Sequence, residues 1–296
     1  MIIGPQNALT VDVEDYFHVT AFEKVILPSD WDRYHYRAGD NTRRILDLFD
    51  RYGVHGTFFI LGWVAERDPG LVRDIRARGH EIACHGYGHQ LIYRIGPEAF
   101  RQDLRRAKSI LEEITGEVVC GYRAPSYSIT AASLWALDIL IEEGFTYDSS
   151  IFPIMHDIYG MPDAPRFPHC IRRPGGSIRE FPISTVQVRG GRRSLRIPVG
   201  GGGYLRLLPA SWFCRAFNRL NCREGQPGVL YFHPWEIDPG QPRISAGLRS
   251  RFRHYLNLGR MEQKLCTLLS SLQFAPMAEV LARIPETALK DDIAGC

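Results

Sequence analysis

The stretch VHGTFFILGWVAERDPGLVRDIRARGHEIACHGYGH, residues 54–89, decides the fold class. Val54 to Leu61 is a β-branched and aromatic run and reads as a strand. Pro69 to Arg78 reads as a helix that stops at Gly79, and His80 to Cys84 as a second short strand. The same alternation continues on both sides. Ala8 to Val13 is strand-like, and Thr42 to Tyr52 sets Ile45, Leu46, Leu48 and Phe49 on an amphipathic helix ended by Gly53. Downstream, Pro97 to Thr115 forms a long amphipathic helix closed by Gly116. Val118 to Tyr122 follows as a strand, Ala131 to Glu143 as a helix closed by Gly144, and Thr146 to Asp148 as the start of another strand. Repeated βα units imply a parallel sheet or a barrel, with chemistry carried on the loops at the C-terminal strand ends.

From Phe152 to Gly203 the chain is rich in Pro and Gly, with short β signals at Arg179 to Ile183 and Ser194 to Val199. This insert could line an open groove or form a lid. Pro209 to Leu220 is helical, Val229 to His233 is a strongly apolar strand, and Leu258 to Leu272 is the clearest helix after Pro242. With no linker between two units, the expectation is an α/β barrel domain over 1–240 and a helical C-terminal extension over 241–296 packed on it.

Composition narrows the function classes. The chain has 296 residues, 45% hydrophobic and 23% charged, as packed globular proteins do. No run of about 18 apolar residues is present, so no transmembrane segment is expected. Met1 to Leu9 lacks a basic start and a long apolar core, so the expected location is the cytoplasm, with room for a peripheral position at an inner membrane. Net charge is 36 − 33 = +3, too small to argue for nucleic acid. The cluster of Arg249, Arg251, Arg253 and His254 reads as a solvated helix face. Seven cysteines without a CxxC pair read as reduced thiols. Gly200 to Gly203 lacks the Lys-Ser/Thr of a phosphate loop and reads as a flexible turn. Oligomeric state is not legible.

Five short constellations lie at predicted strand ends. His85 and His89, four residues apart with Gly86 and Gly88 between, can meet one metal ion, although packing histidines show the same spacing. Asp12, Glu14 and Asp15 crowd three carboxylates after a strand. Like charges so close favour a cation or a raised pKa, and a solvated acidic turn is the plain alternative. Arg123 in Arg-Ala-Pro-Ser-Tyr127 could hold a carboxylate ionised, or make an ordinary structural ion pair. Asp148 could orient a histidine or arginine, or cap a turn. His233, in Leu230-Tyr-Phe-His233-Pro-Trp-Glu236, is a general-acid candidate or a satisfied core histidine. Two histidines and a carboxylate with open positions form a catalytic zinc shell.

In this order the five segments resemble the motifs of the NodB-type polysaccharide deacetylases, carbohydrate esterase family four. The resemblance covers about residues 7 to 240. It implies a distorted (β/α)7-type barrel, a divalent metal, most often Zn2+, and an N-acetylated glycan substrate. By position it implies Asp12 as general base, His85 and His89 as metal ligands and His233 as general acid. Arg123 would brace Asp12, Asp148 would tune His233, and the backbone near Tyr127 would help hold the oxyanion. Where the family has adjacent aspartates, this chain has Asp-Val-Glu-Asp, so the carboxylate ligand is Glu14 or Asp15, with Glu14 preferred for sharing a strand face with Asp12. The Asp-Val-Glu-Asp-Tyr-Phe start and the His-Pro-Trp-Glu ending are similar to deacetylases of exosortase-type exopolysaccharide loci in Gram-negative bacteria. The expected reaction is deacetylation of N-acetylhexosamine residues in an exopolysaccharide or its precursor. The alternatives are amide hydrolysis on peptidoglycan or a small cyclic amide, and a non-catalytic glycan-binding protein. Tyr16, Phe17, Trp31 and Trp235 could stack on sugar rings or pack in the core.

Overall fold

The computed structural model describes residues 5–156, 158–190, 193–285 and 289–292. Along the chain, β1 (Asn7–Val13) leads through two short 3-10 turns to α1 (Ala38–Tyr52) and β2 (Thr57–Ile60). Then come α2 (Gly62–Arg67), α3 (Pro69–Ala77), β3 (Glu81–Cys84), α4 (Ile92–Thr115), β4 (Gly121–Tyr122), α5 (Trp135–Glu142) and β5 (Tyr147–Asp148). Two hairpins follow, β6 (His169–Arg173) with β7 (Gly176–Glu180) and β8 (Thr185–Gly190) with β9 (Arg193–Pro198). After them come α6 (Gly202–Leu207), α7 (Ala210–Asn218) and β10 (Val229–Phe232), and the C-terminal segment holds α8 (Leu248–Tyr255), α9 (Met261–Ser271), β11 (Phe274–Ala275), α10 (Met277–Ala282) and β12 (Lys290–Asp292).

The strands β10, β1, β2, β3, β4, β5 and β7 pair side by side in that order, all in parallel. This is the expected distorted (β/α)7-type barrel. Between β7 and β10 the wall is closed by single hydrogen bonds rather than a ladder. Ile183 N–H donates to Ile151 O at 3.0 Å, Val199 N–H to Ser184 O at 2.9 Å and Tyr231 N–H to Gly200 O at 2.7 Å. The glycine run is thus not a flexible turn. Gly201 bridges to Tyr231 so closely that a Cβ would stand 1.8 Å from the Tyr231 carbonyl oxygen. The C-terminal segment is not purely helical, since β11 pairs with the start of β1 and β12 with β6.

Every residue of β1 and β2 is buried, as expected of parallel strands covered on both faces. On α1 the expected stripe of Ile45, Leu46, Leu48 and Phe49 is buried, and each such side chain contributes roughly 1.5–3 kcal/mol. The helix starts a turn earlier than its apolar pattern, at Ala38, and ends at Gly53 with φ 61°. α3 begins at Pro69, where the Asp68 side chain accepts the Leu71 N–H at 2.9 Å. α4 starts before Pro97, because a turn from Ile92 runs into it across Gly96 at φ 76°. β4 is shorter than expected, with Val118 72% exposed outside it.

Candidate active site

The C-terminal ends of β1, β3, β4 and β10 converge on a cavity of about 210 Å³ lined by Asp12, Glu14, His85, His89, Tyr127 and His233, among others. Asp12 is the penultimate residue of β1, while Glu14 lies just past the strand end. The two carboxylates therefore reach one mouth by different routes, Asp12 from the ladder and Glu14 from the turn that follows.

Glu14, His85 and His89 bring one donor atom each to within 4.8 Å of one another. His85 Nδ1 donates to the Arg123 carbonyl at 2.8 Å, which fixes the proton on Nδ1 and leaves Nε2 as a lone pair. Burial holds the His85 pKa down at about 4, so the ring is a neutral donor. His89 Nε2 stands 2.6 Å from Glu14 Oε2. Trp235 Nε1–H donates to the other Glu14 oxygen at 3.3 Å. Burial pushes Glu14 up, but the combined pull of His89, His233 and His85 brings it well below the ordinary carboxylate range. A buried anion with two imidazole donors fits a divalent cation of the zinc type.

The loop bearing the histidine pair is clamped from two directions. Asp103 on α4 accepts the N–H of Tyr87 at 2.7 Å and of Gly88 at 3.0 Å. The α2 N-terminus donates from Gly62 to the Gly86 carbonyl at 2.8 Å and from Trp63 to that of Tyr87 at 3.2 Å. Gly86 sits at φ 71°, and a Cβ there would meet Asp103 Oδ2 at 2.8 Å.

Asp15 goes elsewhere. Its carboxylate accepts the N–H of Tyr16 at 2.8 Å, Arg37 at 2.6 Å and Ala38 at 2.7 Å, so it ties the β1 turn to the start of α1. Of the two candidate carboxylates, Glu14 is the one grouped with the histidines.

Asp12 Oδ1 receives Arg123 Nη1 at 2.6 Å in a fully buried ion pair. Arg123 is braced by Thr10 Oγ1 at 2.8 Å and by the Ser149 hydroxyl and carbonyl at 3.0 and 3.2 Å. Across the cavity, His233 Nε2 faces Asp12 Oδ2 at 4.0 Å and Glu14 Oε1 at 3.6 Å.

Two expectations need correction. Asp148 does not touch His233. It accepts the Ser150 hydroxyl at 2.5 Å and stands in register with Glu180 on β7, where burial pushes it up to about 6 and also raises Glu180 well above its ordinary value. The group on His233 Nδ1 is Glu236, at 3.0 Å, and it also accepts the His233 N–H at 2.9 Å. The Tyr127 N–H is likewise not free for an oxyanion, since it donates to the Ala124 carbonyl at 3.0 Å, and the Tyr127 side chain lines the cavity instead.

Sequence reading missed Glu236 and its partner Arg206, whose Nε donates to Glu236 Oε1 at 2.6 Å. Glu236 had a local signal. A Pro after His233 and a Glu three residues on mark a capping box. Arg206 had none. Of the aromatics, Tyr16, Phe17 and Trp31 pack together in a buried cluster. Trp235 lines the cavity, stacked on His233 at 5.2 Å and on His254 at 4.2 Å between ring centres.

Comparison with known proteins agrees with this geometry. Residues 30–140 match the family model for polysaccharide deacetylase, and residues 149–282 match a domain of unknown function, DUF3473. A peptidoglycan deacetylase-like protein, FGM2, of Gibberella zeae is 34% identical over 110 residues, covering 36% of this chain and 32% of that one. A peptidoglycan-N-acetylglucosamine deacetylase of Bacillus cereus is 32% identical over 98 residues, 33% of this chain and 36% of that one. The matched stretch thus spans about a third of these relatives. The crystal structure of a Mycobacterium smegmatis protein described as a polysaccharide deacetylase superposes with a TM-score of 0.63 at 21% identity, covering 98% of this chain and 94% of that one, and shares the fold. The family match over the strands and helices that carry the histidine pair identifies residues 30–140 as a polysaccharide deacetylase domain, of the NodB type.

Proposed function

We propose that this protein is a metal-dependent deacetylase that hydrolyses the N-acetyl amide of hexosamine residues in a bacterial exopolysaccharide or its precursor, releasing acetate. The observation that carries the reading is the placement of Asp12 with Arg123 and His233 with Glu236 around Glu14, His85 and His89. Glu14, His85 and His89 would hold the metal, most readily Zn2+. When bound, it supplies Lewis-acid polarisation of the amide carbonyl and of water.

The chain's own residues supply the proton transfers. Asp12, held in place by Arg123, takes a proton from water as the C–O bond to the acetyl carbon forms. His233 gives its Nε2 proton to the nitrogen as the C–N bond breaks, which yields acetate and a free amine. The Glu236 contact keeps the other ring proton on Nδ1, so Nε2 is the nitrogen that faces the reacting groups. Burial alone would depress His233, but Glu14, Glu236 and Asp12 outweigh it and bring it to about 9. Neutralising Glu14 with a cation withdraws part of that pull, towards the range where a general acid works at neutral pH.

The same chemistry on peptidoglycan is the second reading, favoured by the names of the matched relatives. Acetate release and bound metal should be measured on one zinc-loaded sample, with N-acetylglucosamine oligomers and peptidoglycan fragments as substrates. Acetate from the oligomers at about one metal per chain supports the proposal. Acetate from peptidoglycan alone moves the substrate to the second reading. Neither metal nor acetate after reconstitution overturns both.

A further inference from the structure

α8 carries Arg249, Phe252 and Arg253 at i, i+3 and i+4, which is one helix face, and Leu256 follows at its C-terminal cap. That face lines a second cavity, of about 410 Å³, together with Tyr159, Tyr204 and Tyr231. Tyr159, Arg206, Tyr231 and Arg253 line this cavity and the active-site cavity alike, so the trough beside α8 adjoins the active site. The basic cluster is therefore more than a solvated helix face, because Arg249 and Arg253 line this trough and Arg253 also lines the active-site cavity.

The charges in this trough are unbalanced. Among the described residues its wall holds three arginines and no Asp or Glu, whereas the adjoining active-site cavity holds Asp12 and Glu14. Arg206 is engaged by Glu236 and by the carbonyls of Arg253 and His254. Arg249 and Arg253 have no side-chain hydrogen bond or ion pair with any described residue. Phe252 is 65% exposed beside them. Two uncommitted guanidinium forks beside aromatic faces suit a pyranose ring that carries a carboxylate. The ring lies against the aromatics and the carboxylate takes the forks.

We propose that this trough is a subsite for an anionic sugar of the substrate, a hexuronate close along the chain to the N-acetylhexosamine that is deacetylated. The proposal rests on the deacetylase reading of the adjoining site and names the class of polymer it takes. An acidic polymer is held by charge, and the amine that deacetylation creates leaves it zwitterionic.

The test uses the full chain with zinc bound. Acetate release is compared for N-acetylglucosamine tetramer and for a tetrasaccharide alternating N-acetylglucosamine with glucuronic acid. Binding of both is measured by calorimetry on the Asp12→Asn variant. The acidic tetrasaccharide is expected to be preferred by about tenfold or more at low salt, from one or two charge-assisted contacts. That preference should shrink with added salt and collapse in Arg249→Ala with Arg253→Ala. Arg251→Ala, which is exposed and outside the trough wall, should keep it. Equal binding of both oligomers, or a preference that survives the double substitution, overturns the subsite. Displacement of the acidic tetrasaccharide by inorganic phosphate at lower concentration than by glucuronate overturns the carboxylate assignment. Preferential binding without acetate from either substrate leaves the subsite standing and fails the deacetylase reading.

Discussion

Glu236 accepts two hydrogen bonds from the same residue, from the Nδ1–H of His233 at 3.0 Å and from its backbone N–H at 2.9 Å. The 3-10 turn Pro234–Ile237 folds the carboxylate back onto the strand end, and Arg206 holds it ionised from behind. Burial pushes Glu236 up, but Arg206 and His233 bring it down to about 2. Ring orientation at His233 thus depends on this one neighbour, and ring charge on it together with Glu14 and Asp12.

Glu236→Gln keeps the shape and one acceptor oxygen but removes the charge. We expect kcat to fall about 10- to 100-fold with bound metal unchanged. His233 loses a carboxylate that raises its pKa, so the alkaline limb of the kcat profile should move to lower pH. A fall in kcat with that limb unmoved would mean that Glu236 acts only by packing. Glu236→Ala also strands Arg206 in the interior, and about 3–5 kcal/mol of stability should be lost, read from urea unfolding.

Metal content separates the carboxylates. His89→Ala and Glu14→Gln should each lose metal, since they remove two of the three grouped donors. Asp12→Asn should keep the metal and lose turnover. Asp15→Asn should also keep the metal but unfold more easily, because one amide oxygen cannot replace a carboxylate that serves three N–H groups. Elemental analysis of the four purified variants decides it. Metal loss from Asp12→Asn equal to that from His89→Ala would make Asp12 a ligand rather than the base.

His80 gives a pH signature remote from the site. Its Nδ1 accepts the Gly56 N–H at 3.2 Å, and the ring packs on Phe49 and Phe58. Burial holds its folded pKa at about 4, below the ordinary histidine value of about 6.5. A His depressed in this way contributes stability that is fully present above pH 6.5 and is lost as pH falls through 4. Asn at this position keeps an acceptor for Gly56 and does not titrate. The advantage of wild type over His80→Asn should therefore be largest near pH 7.5. It should narrow by up to about 1.4 kcal/mol per pH unit below 6.5. Urea midpoints at pH 7.5, 5.5 and 4.5 measure it, and a constant gap would place the ring's pKa near its ordinary value.

What was legible in the sequence was local. Histidines four residues apart, a carboxylate just past a strand and an arginine after the next strand each announce themselves within a few residues, and the structure brings them to one mouth. What was not legible depends on register between distant strands. Asp148 meets Glu180 because β5 and β7 pair in parallel, although β6, the antiparallel partner of β7, lies between them in sequence. Without that pairing, Asp148 looked free to serve His233. Arg206 reaches Glu236 from α6, and no spacing links position 206 to position 236. Asp103 clamps the histidine loop from the middle of α4, where a lone acid reads as a solvated helix residue.

The glycine run shows the same limit, and it yields a last prediction. Gly201 has φ 140°, and its Cβ position falls 1.8 Å from the Tyr231 carbonyl oxygen and 3.0 Å from the Tyr231 nitrogen. Backbone cannot move aside as a flexible side chain can, so an added methyl must push β10 away from the Gly200–Gly201 segment. His233 follows β10 directly, so that push reaches the general acid. Gly201→Ala should lose at least 1–3 kcal/mol of stability and also lower kcat, with metal content retained. Gly203 is the control. It lies inside α6, has no positive φ, and its Cβ would meet only Arg206 Nη2 at 3.7 Å. Gly203→Ala should hold or gain about 0.5–1 kcal/mol. Thermal unfolding of both variants, with initial rates on the same preparations, checks the pair. Equal tolerance at 201 and 203 would mean that β10 can shift without disturbing His233, and would restore the flexible-turn reading of the glycines.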